Sequence, residues 1–314
     1  MKPSVAVLIP CYNEGSAISA VVRDFRAALP DASIFVYDNN STDSTRQVSR
    51  AAGAIVRSEH LQGKGNVVRR MFADVEAEVF VLVDGDGTYD AASAPRLVGL
   101  LLSENLDMVN AARVASSQNA YVAGHQFGNA LLSGMVALIF GNRLTDMLSG
   151  YRVFSRRFVK SFPARTGGFE IETELTVHAL GLRLPIAEVP TPYRERPSGS
   201  MSKLHTYRDG MRILRTILML IEQEKPLQFF ASISAALAIL AGMLMIPVLQ
   251  TFLSTGLVLK LPTAVLSMGI MLLASLSLVC GLVLATVTRG RIESKRLHYL
   301  SIPIHLNRVN NGEA

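Results

Sequence analysis

Two carboxylates spaced one residue apart, in Asp84-Gly85-Asp86-Gly87-Thr88, follow an apolar run at residues 79–83. An apolar run of this length reads as a buried strand. It would deliver both acids at its C-terminal end, where open α/β sheets bind ligands. The glycine between them lets the backbone turn. Oxygen donors of this kind suit a hard divalent cation, Mg2+ or Mn2+, and such an ion can neutralise a diphosphate leaving group. A polar turn capping the next helix uses the same residue types. An EF-hand is excluded, because its sixth loop position would be Tyr89 rather than glycine and its twelfth Pro95 rather than glutamate.

Other polar clusters follow earlier apolar runs. Ile9-Pro10-Cys11-Tyr12-Asn13-Glu14 closes the first, and Asp38-Asn39-Asn40-Ser41-Thr42-Asp43 closes the second. Acids at such strand ends accept hydrogen bonds from ribose hydroxyls or a base edge, although Ser41 to Asp43 also suit simple turn chemistry. Gly63-Lys64-Gly65-Asn66 opens a helical stretch, where backbone N–H groups and a lysine could meet an anion. Phe169-Glu170-Ile171-Glu172-Thr173-Glu174 is a further acidic candidate. On a helix Glu170 and Glu174 share a face while Glu172 points elsewhere, so an acid near a substrate and a solvated face both fit. The chain has no Walker A sequence and no GxGxxG fingerprint, which argues against mononucleotide-kinase and dehydrogenase chemistry.

The elements that must position these residues are legible up to about residue 190. Runs at 5–9, 34–37, 54–56, 79–83 and 108–111 read as strands, and Ile18, Val21, Val22 and Phe25 recur at helical spacing. Ser44 with Gln47 fits a capping box. This alternation predicts an α/β fold with a mostly parallel sheet covered on both faces. The chain opens without a signal-peptide pattern. Its two cysteines, Cys11 and Cys280, are too far apart in sequence for a disulfide framework or metal-ligand spacing and fit a reducing compartment.

The last third differs. Of the 314 residues 49% are hydrophobic and only 18% charged, with a mean hydropathy of +0.31. Residues 227–259 and 261–288 contain no charge, and each stretch exceeds the roughly 20 residues of a bilayer span. Two transmembrane helices are predicted, at about 228–249 and 263–287, with Pro247, Gly256, Lys260 and Pro262 between their cores. Met211, Leu214, Ile217, Leu218 and Ile221 share one face of residues 205–226, with Arg208, Arg212 and Arg215 towards another. This segment reads as an interfacial amphipathic helix or an ordinary core-facing one. The predicted organisation is therefore a cytoplasmic domain at 1–204, a juxtamembrane helix at 205–226, spans within 227–288 and a basic tail at 289–314. The net charge of +6 then reflects basic flanks (Arg289, Arg291, Lys295, Arg296) rather than a nucleic-acid surface. The large domain and the C-terminus would face the cytoplasm, at the inner membrane. A footprint of two spans also suits a homo-oligomer. Two spans with no ionisable core residue argue against a transporter.

The order Pro10-Cys-Tyr-Asn-Glu14, Asp38 in D-x-x-S-T-D, Gly63-Lys-Gly65 and Asp84-Gly-Asp86 resembles the family 2 inverting glycosyltransferases of the GT-A (Rossmann-like) fold. Asp146-Met-Leu-Ser149-Gly150-Tyr151-Arg152 resembles the D-x-x-S-G-[FY]-R segment of the dolichyl- and polyprenyl-phosphate sugar synthases. So does Ser202-Lys203-Leu204 after Tyr193-Arg194-x-Arg196. With the two spans the likeness covers almost the whole chain. It implies a metal-dependent enzyme that moves a hexose-type sugar from a UDP- or GDP-sugar onto polyprenyl phosphate, for cell-envelope glycan assembly. The nucleotide-sugar pocket would use Pro10, Tyr12, Asn13, Glu14, Asp38, Lys64 and Asp84, with Mg2+ or Mn2+ on Asp84 and Asp86. Asp146, Asp86 and Arg152 are the candidate catalytic residues. Arg113, His125, Asn129, Ser149, Arg152, Arg196 (or Arg194) and Lys203 are candidates for the acceptor phosphate. The dolichyl-phosphate mannose synthases carry an arginine where this chain has His125, with a small polar residue at the place of Asn129, so the likeness does not extend to mannose. Processive synthases carry Q-x-x-R-W, and this chain has no tryptophan. Transfer to another lipid such as diacylglycerol, and a degenerate nucleotide-sugar-binding scaffold, are the alternatives. The scaffold would have been free to lose Asp84 or Asp86.

Overall fold

The computed structural model describes residues 3–115, 134, 144–164, 166–168, 170–194, 219, 222 and 225–303. The chain divides into two units, Met1–Ile217 with Lys295–Ala314, and Leu218–Ser294. The amphipathic segment predicted at 205–226 lies almost wholly outside the described residues.

In the first unit strands and helices alternate as β1 (Val5–Cys11), α1 (Ile18–Ala28), β2 (Ser33–Asp38), α2 (Thr45–Ala51), β3 (Ile55–Ser58), α3 (Lys64–Asp74) and β4 (Val79–Leu82). A 3-10 turn at Ala91–Ser93 leads into α4 (Ala94–Ser103) and β5 (Met108–Ala115). Then come β6 (Arg152–Ser155), α5 (Arg156–Ser161), α6 (Ile171–Leu182) and β7 (Ile186–Tyr193). The sheet order is β3-β2-β1-β4-β6-β5-β7. β6 runs antiparallel to both neighbours, and the other pairings are parallel.

Parallel strands are buried on both faces, and the side chains here divide accordingly. Val79, Val81 and Val83 point into one core with Val7, Ile9 and the apolar stripe Ile18, Val21, Val22 and Phe25 of α1. Phe80 joins the opposite face, where Phe72 lies 6.4 Å from it and 5.9 Å from Phe154. β1 pairs with β2 through Cys11 opposite Asp38, and on its other side with β4 through Leu8 opposite Leu82. Sheet growth therefore reverses at β1, which opens a crevice above the carboxyl ends of β1, β2 and β4.

The expected capping box of α2 does not form. Ser44 makes no side-chain cap. Instead the Thr45 N–H donates to Asp43 Oδ1 at 3.0 Å, so an acid one position earlier does the capping.

The second unit contains α7 (Pro226–Thr255) and most of α8 (Leu261–Ser301), both long and apolar enough to cross a membrane. At about 1.5 Å per residue, α7 is roughly 45 Å long. Both outrun their predicted limits. Pro247 lies inside α7, and Gly256, with φ of 69°, ends it. α8 continues through Arg289, Arg291, Lys295 and Arg296, so the basic segment extends a helix rather than forming a separate tail. The buried residues of α8 in this unit, Ser267, Ala274, Gly281 and Thr288, recur every seven positions. Small residues at this repeat let two helices approach closely. Ser267 Oγ donates to the Ala241 carbonyl at 2.7 Å and Ser277 Oγ to that of Phe230 at 3.1 Å. The large apolar side chains of both helices, Leu253, Leu272 and Leu276 among them, remain exposed.

Candidate active site

Asp86 is 4% exposed, and its Oδ1 accepts from the Thr88 N–H and, at 2.7 Å, from Thr88 Oγ1. The turn that aims it uses Gly87 at φ 77°. Neither Gly85 nor Gly150 leaves room for a side chain. A Cβ on Gly85 would meet Cys11 Sγ, and one on Gly150 would meet the carboxylate of Asp84. The Gly150 N–H donates to Tyr89 Oη at 2.8 Å, which fixes the segment under Asp84.

Asp84 is ion-paired. Lys64 Nζ lies 2.5 Å from Asp84 Oδ1 and 2.5 Å from Glu172 Oε1. Burial disfavours the ammonium, but the two carboxylates outweigh it and hold the Lys64 pKa well above its ordinary value. Burial raises the pKa of Glu172; Lys64 opposes that rise and Asp84 reinforces it. Glu172 Oε2 is buried with no hydrogen-bond partner among the described residues. The start of α3 is closed to anions. The Gly65 N–H donates to the carbonyls of Gly167 at 3.1 Å and Gly168 at 3.2 Å, and a Cβ on Gly63 or Gly65 would collide with this segment. The expectation of an anion at that helix terminus is thus corrected, and Lys64 serves carboxylates. The solvated-face alternative for α6 is corrected too, since Glu170, Glu172 and Glu174 are all buried. Glu174 Oε2 accepts from the N–H and hydroxyl of Thr166.

Across the crevice, Asp38 is fully buried. Its Oδ2 accepts from Arg46 Nε at 2.5 Å and from the Ser41 N–H at 3.2 Å. Its Oδ1 has no partner among the described residues, leaving a buried acceptor at the end of β2. Asn13, at φ 54°, accepts from the Thr42 N–H at 2.8 Å and donates its own N–H to Ser41 Oγ. The Glu14 N–H donates to Thr45 Oγ1, so the loops after β1 and β2 form one wall. Pro10 lies opposite Tyr37 in the β1–β2 register, and Tyr12 is exposed beyond it. Asn39, which sequence reading left without a role, ties this wall to the loop before α3. Its Nδ2 donates to the carbonyls of Glu59 and Leu61, and its Oδ1 accepts from the Gly63 N–H at 2.7 Å.

Asp146 and Arg113 form a two-pronged pair, Nε to Oδ2 at 2.7 Å and Nη2 to Oδ1 at 2.8 Å. Burial pushes the Asp146 carboxyl up, but the hydrogen bonds and charge of Arg113 prevail and hold it below the usual range. The guanidinium carbon of Arg113 sits 5.6 Å from the centre of the Tyr193 ring, which fixes its second face. Arg152 and Ser149 are different. Both are completely buried. Arg152 donates to the carbonyls of Ser149 and Met147 and to Thr176 Oγ1, and Ser149 Oγ donates to the Ala111 carbonyl. Their expected phosphate contacts are corrected accordingly, because their hydrogen bonds hold the 147–152 segment against the sheet. Arg194 pairs with Asp90 at the surface. His125, Asn129, Arg196 and Lys203 lie outside the described residues.

A divalent cation fits what is present. Asp84 and Asp86 offer hard oxygen donors on one strand end, and no group of three His, Cys, Asp or Glu side chains able to hold a metal occurs among the described residues. Any ion there would share its coordination with a ligand such as a diphosphate.

A sheet of this order is that of the GT-A fold, as the solved structures it superposes on show. Residues 6–162 match glycosyl transferase family 2, and the chain belongs to that family. It is 35% identical over 235 residues to glycosyltransferase AglJ of Haloferax volcanii, an alignment covering 74% of this chain and 77% of that one. It is 26% identical to the dolichyl-phosphate hexose transferase of the same organism, over 70% of this chain and 95% of the relative. Among solved structures, glucosyl-3-phosphoglycerate synthase from Mycobacterium tuberculosis, in complex with Mn2+ and uridine-diphosphate-glucose, superposes with a TM-score of 0.56 at 25% identity, covering 68% of this chain and 79% of that one. The protein is therefore a glycosyltransferase.

Proposed function

We propose that the enzyme transfers a hexose-type sugar, with inversion, from a UDP- or GDP-sugar to polyprenyl phosphate at a membrane surface. The observation that carries the reading is the Asp84–Asp86 pair just after β4, with the buried open acceptor of Asp38 at the carboxyl end of β2, on the two sides of β1 where sheet growth reverses. Asp38 and the Asn13–Thr42 wall would take the nucleoside, with Pro10, Tyr12 and Glu14 beside it. Bound at Asp84 and Asp86, Mg2+ or Mn2+ would supply charge stabilisation for the departing diphosphate. Lys64 would keep Asp84 and Glu172 in place at the sugar end of the pocket.

The acceptor is read from the relative named for dolichyl phosphate and from the two apolar helices. A phosphate monoester is already largely ionised near neutral pH, so transfer depends on positioning more than on a strong base. Arg113 suits that acceptor, because a guanidinium presents paired donors to phosphate. Asp146 aligns it; held ionised by Arg113, its carboxylate orients the guanidinium rather than taking a proton. The cytoplasmic side is the side read for the catalytic unit, a reading supported by the basic residues flanking the apolar stretches and by Lys260 as the single charge between them.

The test is a donor screen. Detergent-solubilised protein with Mg2+ or Mn2+ is given labelled UDP- and GDP-sugars and either a short polyprenyl phosphate or diacylglycerol. Label entering the organic phase from one donor, with polyprenyl phosphate only, is the expected result. Label on diacylglycerol alone would replace the acceptor. Nucleotide binding without transfer to any lipid would favour a scaffold.

A further inference from the structure

Asp146 lies on a loop, yet its pairing with Arg113 demands accuracy at both carboxylate oxygens. What fixes that loop is a second acid. Glu188 on β7 accepts from the Thr145 N–H at 2.6 Å and from Thr145 Oγ1 at 2.8 Å, both through Oε2. Its Oε1 accepts from the Asp146 N–H at 3.0 Å and from Asn110 Nδ2 at 2.8 Å. Asn110, the partner of Glu188 in the β5–β7 register, also donates to the Asp146 carbonyl at 2.8 Å. The backbone of Asp146 is thus gripped on its N–H and on its carbonyl from two adjacent strands. Arg113, three positions after Asn110 on β5, meets the carboxylate of the same residue.

We propose that Glu188 is a positioning residue of the transferase, setting the Asp146–Arg113 pair against the acceptor phosphate through the backbone of residues 145 and 146. The proposal rests on the reading above, that this pair serves the acceptor. Its physical content is that four donors converge on two carboxylate oxygens, so only a group accepting at both ends satisfies them. A glutamine has one accepting end. Its amide NH2 would face either the Thr145 donors or those of Asp146 and Asn110, and the loop would shift to relieve the conflict. Displacements of this kind far from the reacting atoms lower kcat without touching donor binding.

The experiment is a double-mutant cycle on the full solubilised chain, using Glu188→Gln, Asp146→Asn and both together, with the donor and polyprenyl phosphate found in the screen. Expected are a fall in kcat of about 10-fold for Glu188→Gln, an unchanged affinity for the nucleoside diphosphate, and no further loss in the double variant beyond Asp146→Asn alone. Losses that multiply in full would overturn the proposal, since Glu188 would then act independently of Asp146. A wild-type kcat in Glu188→Gln beside an impaired Asp146→Asn would overturn it while leaving the reading of the pair intact. Wild-type transfer by Asp146→Asn would remove that reading and the proposal with it. Should Glu188→Gln not fold, Thr145→Val removes one donor and keeps the backbone contacts. A drop in kcat of roughly threefold with unchanged nucleotide affinity then supports the proposal, and an unchanged kcat overturns it.

Discussion

At Lys64 the buried carboxylate of Glu172 and the half-buried one of Asp84 converge on one ammonium, and removing it leaves both without their cation. Lys64→Met is expected to cost about 3 kcal/mol in urea unfolding, with much of the loss recovered in Lys64→Met/Glu172→Gln. Equal stabilities for the two variants would show that Glu172 does not depend on the lysine. Asp146 gives a pH signature. Its carboxyl is held below its ordinary value of about 3.9, so the native state binds that proton less readily than the unfolded chain. The stabilisation is present in full above the ordinary value and lost as pH falls through the native one. Unfolding free energy should therefore drop more steeply on acidification below about pH 5 in wild type than in Asp146→Asn. Parallel curves would contradict the pairing. At this scale the sequence exposed what is local. Asp84, Asp86 and Asp38 are readable because each ends an apolar run. The Lys64–Glu172 pair was not readable, because its partners are 108 positions apart and join only when α6 packs on the Gly63–Gly65 turn. Glu188 gave no signal either, since a lone acid within an apolar strand reads as its solvent-facing side.

Among the elements, the wall after β2 depends on one amide. Asn39 makes three hydrogen bonds to the loop that leads into α3. Asn39→Ala is expected to destabilise the first unit by about 2 kcal/mol and to weaken nucleotide binding, which calorimetry would read. Unchanged nucleotide affinity would mean that the loop holds its shape unaided. The parallel strands and α1 followed from β-branched runs and helical spacing. The antiparallel β6 did not, because pairing direction is set by where a strand lands and leaves no mark in a run as short as Arg152–Ser155. The start of α2 misled for a similar reason. Ser44 and Gln47 have capping-box spacing, but Asp43 reaches the Thr45 N–H first.

Over the whole molecule, the sequence separates an α/β unit from a pair of long apolar helices, while the chain divides into Met1–Ile217 with Lys295–Ala314 and Leu218–Ser294. The extension of α8 to Ser301 was hidden because charged residues end an apolar run without ending a helix. The proposed reaction turns on the acidic pair at the end of β4, which drives sugar transfer to a lipid phosphate. The measurement that tests it most directly compares wild type with Asp86→Ala in transfer of labelled sugar to polyprenyl phosphate, with and without a chelator, at matched melting temperature. Expected are a loss of at least about 100-fold from the substitution and a comparable loss from the chelator, reversed by Mg2+ or Mn2+. Transfer that survives both would contradict it.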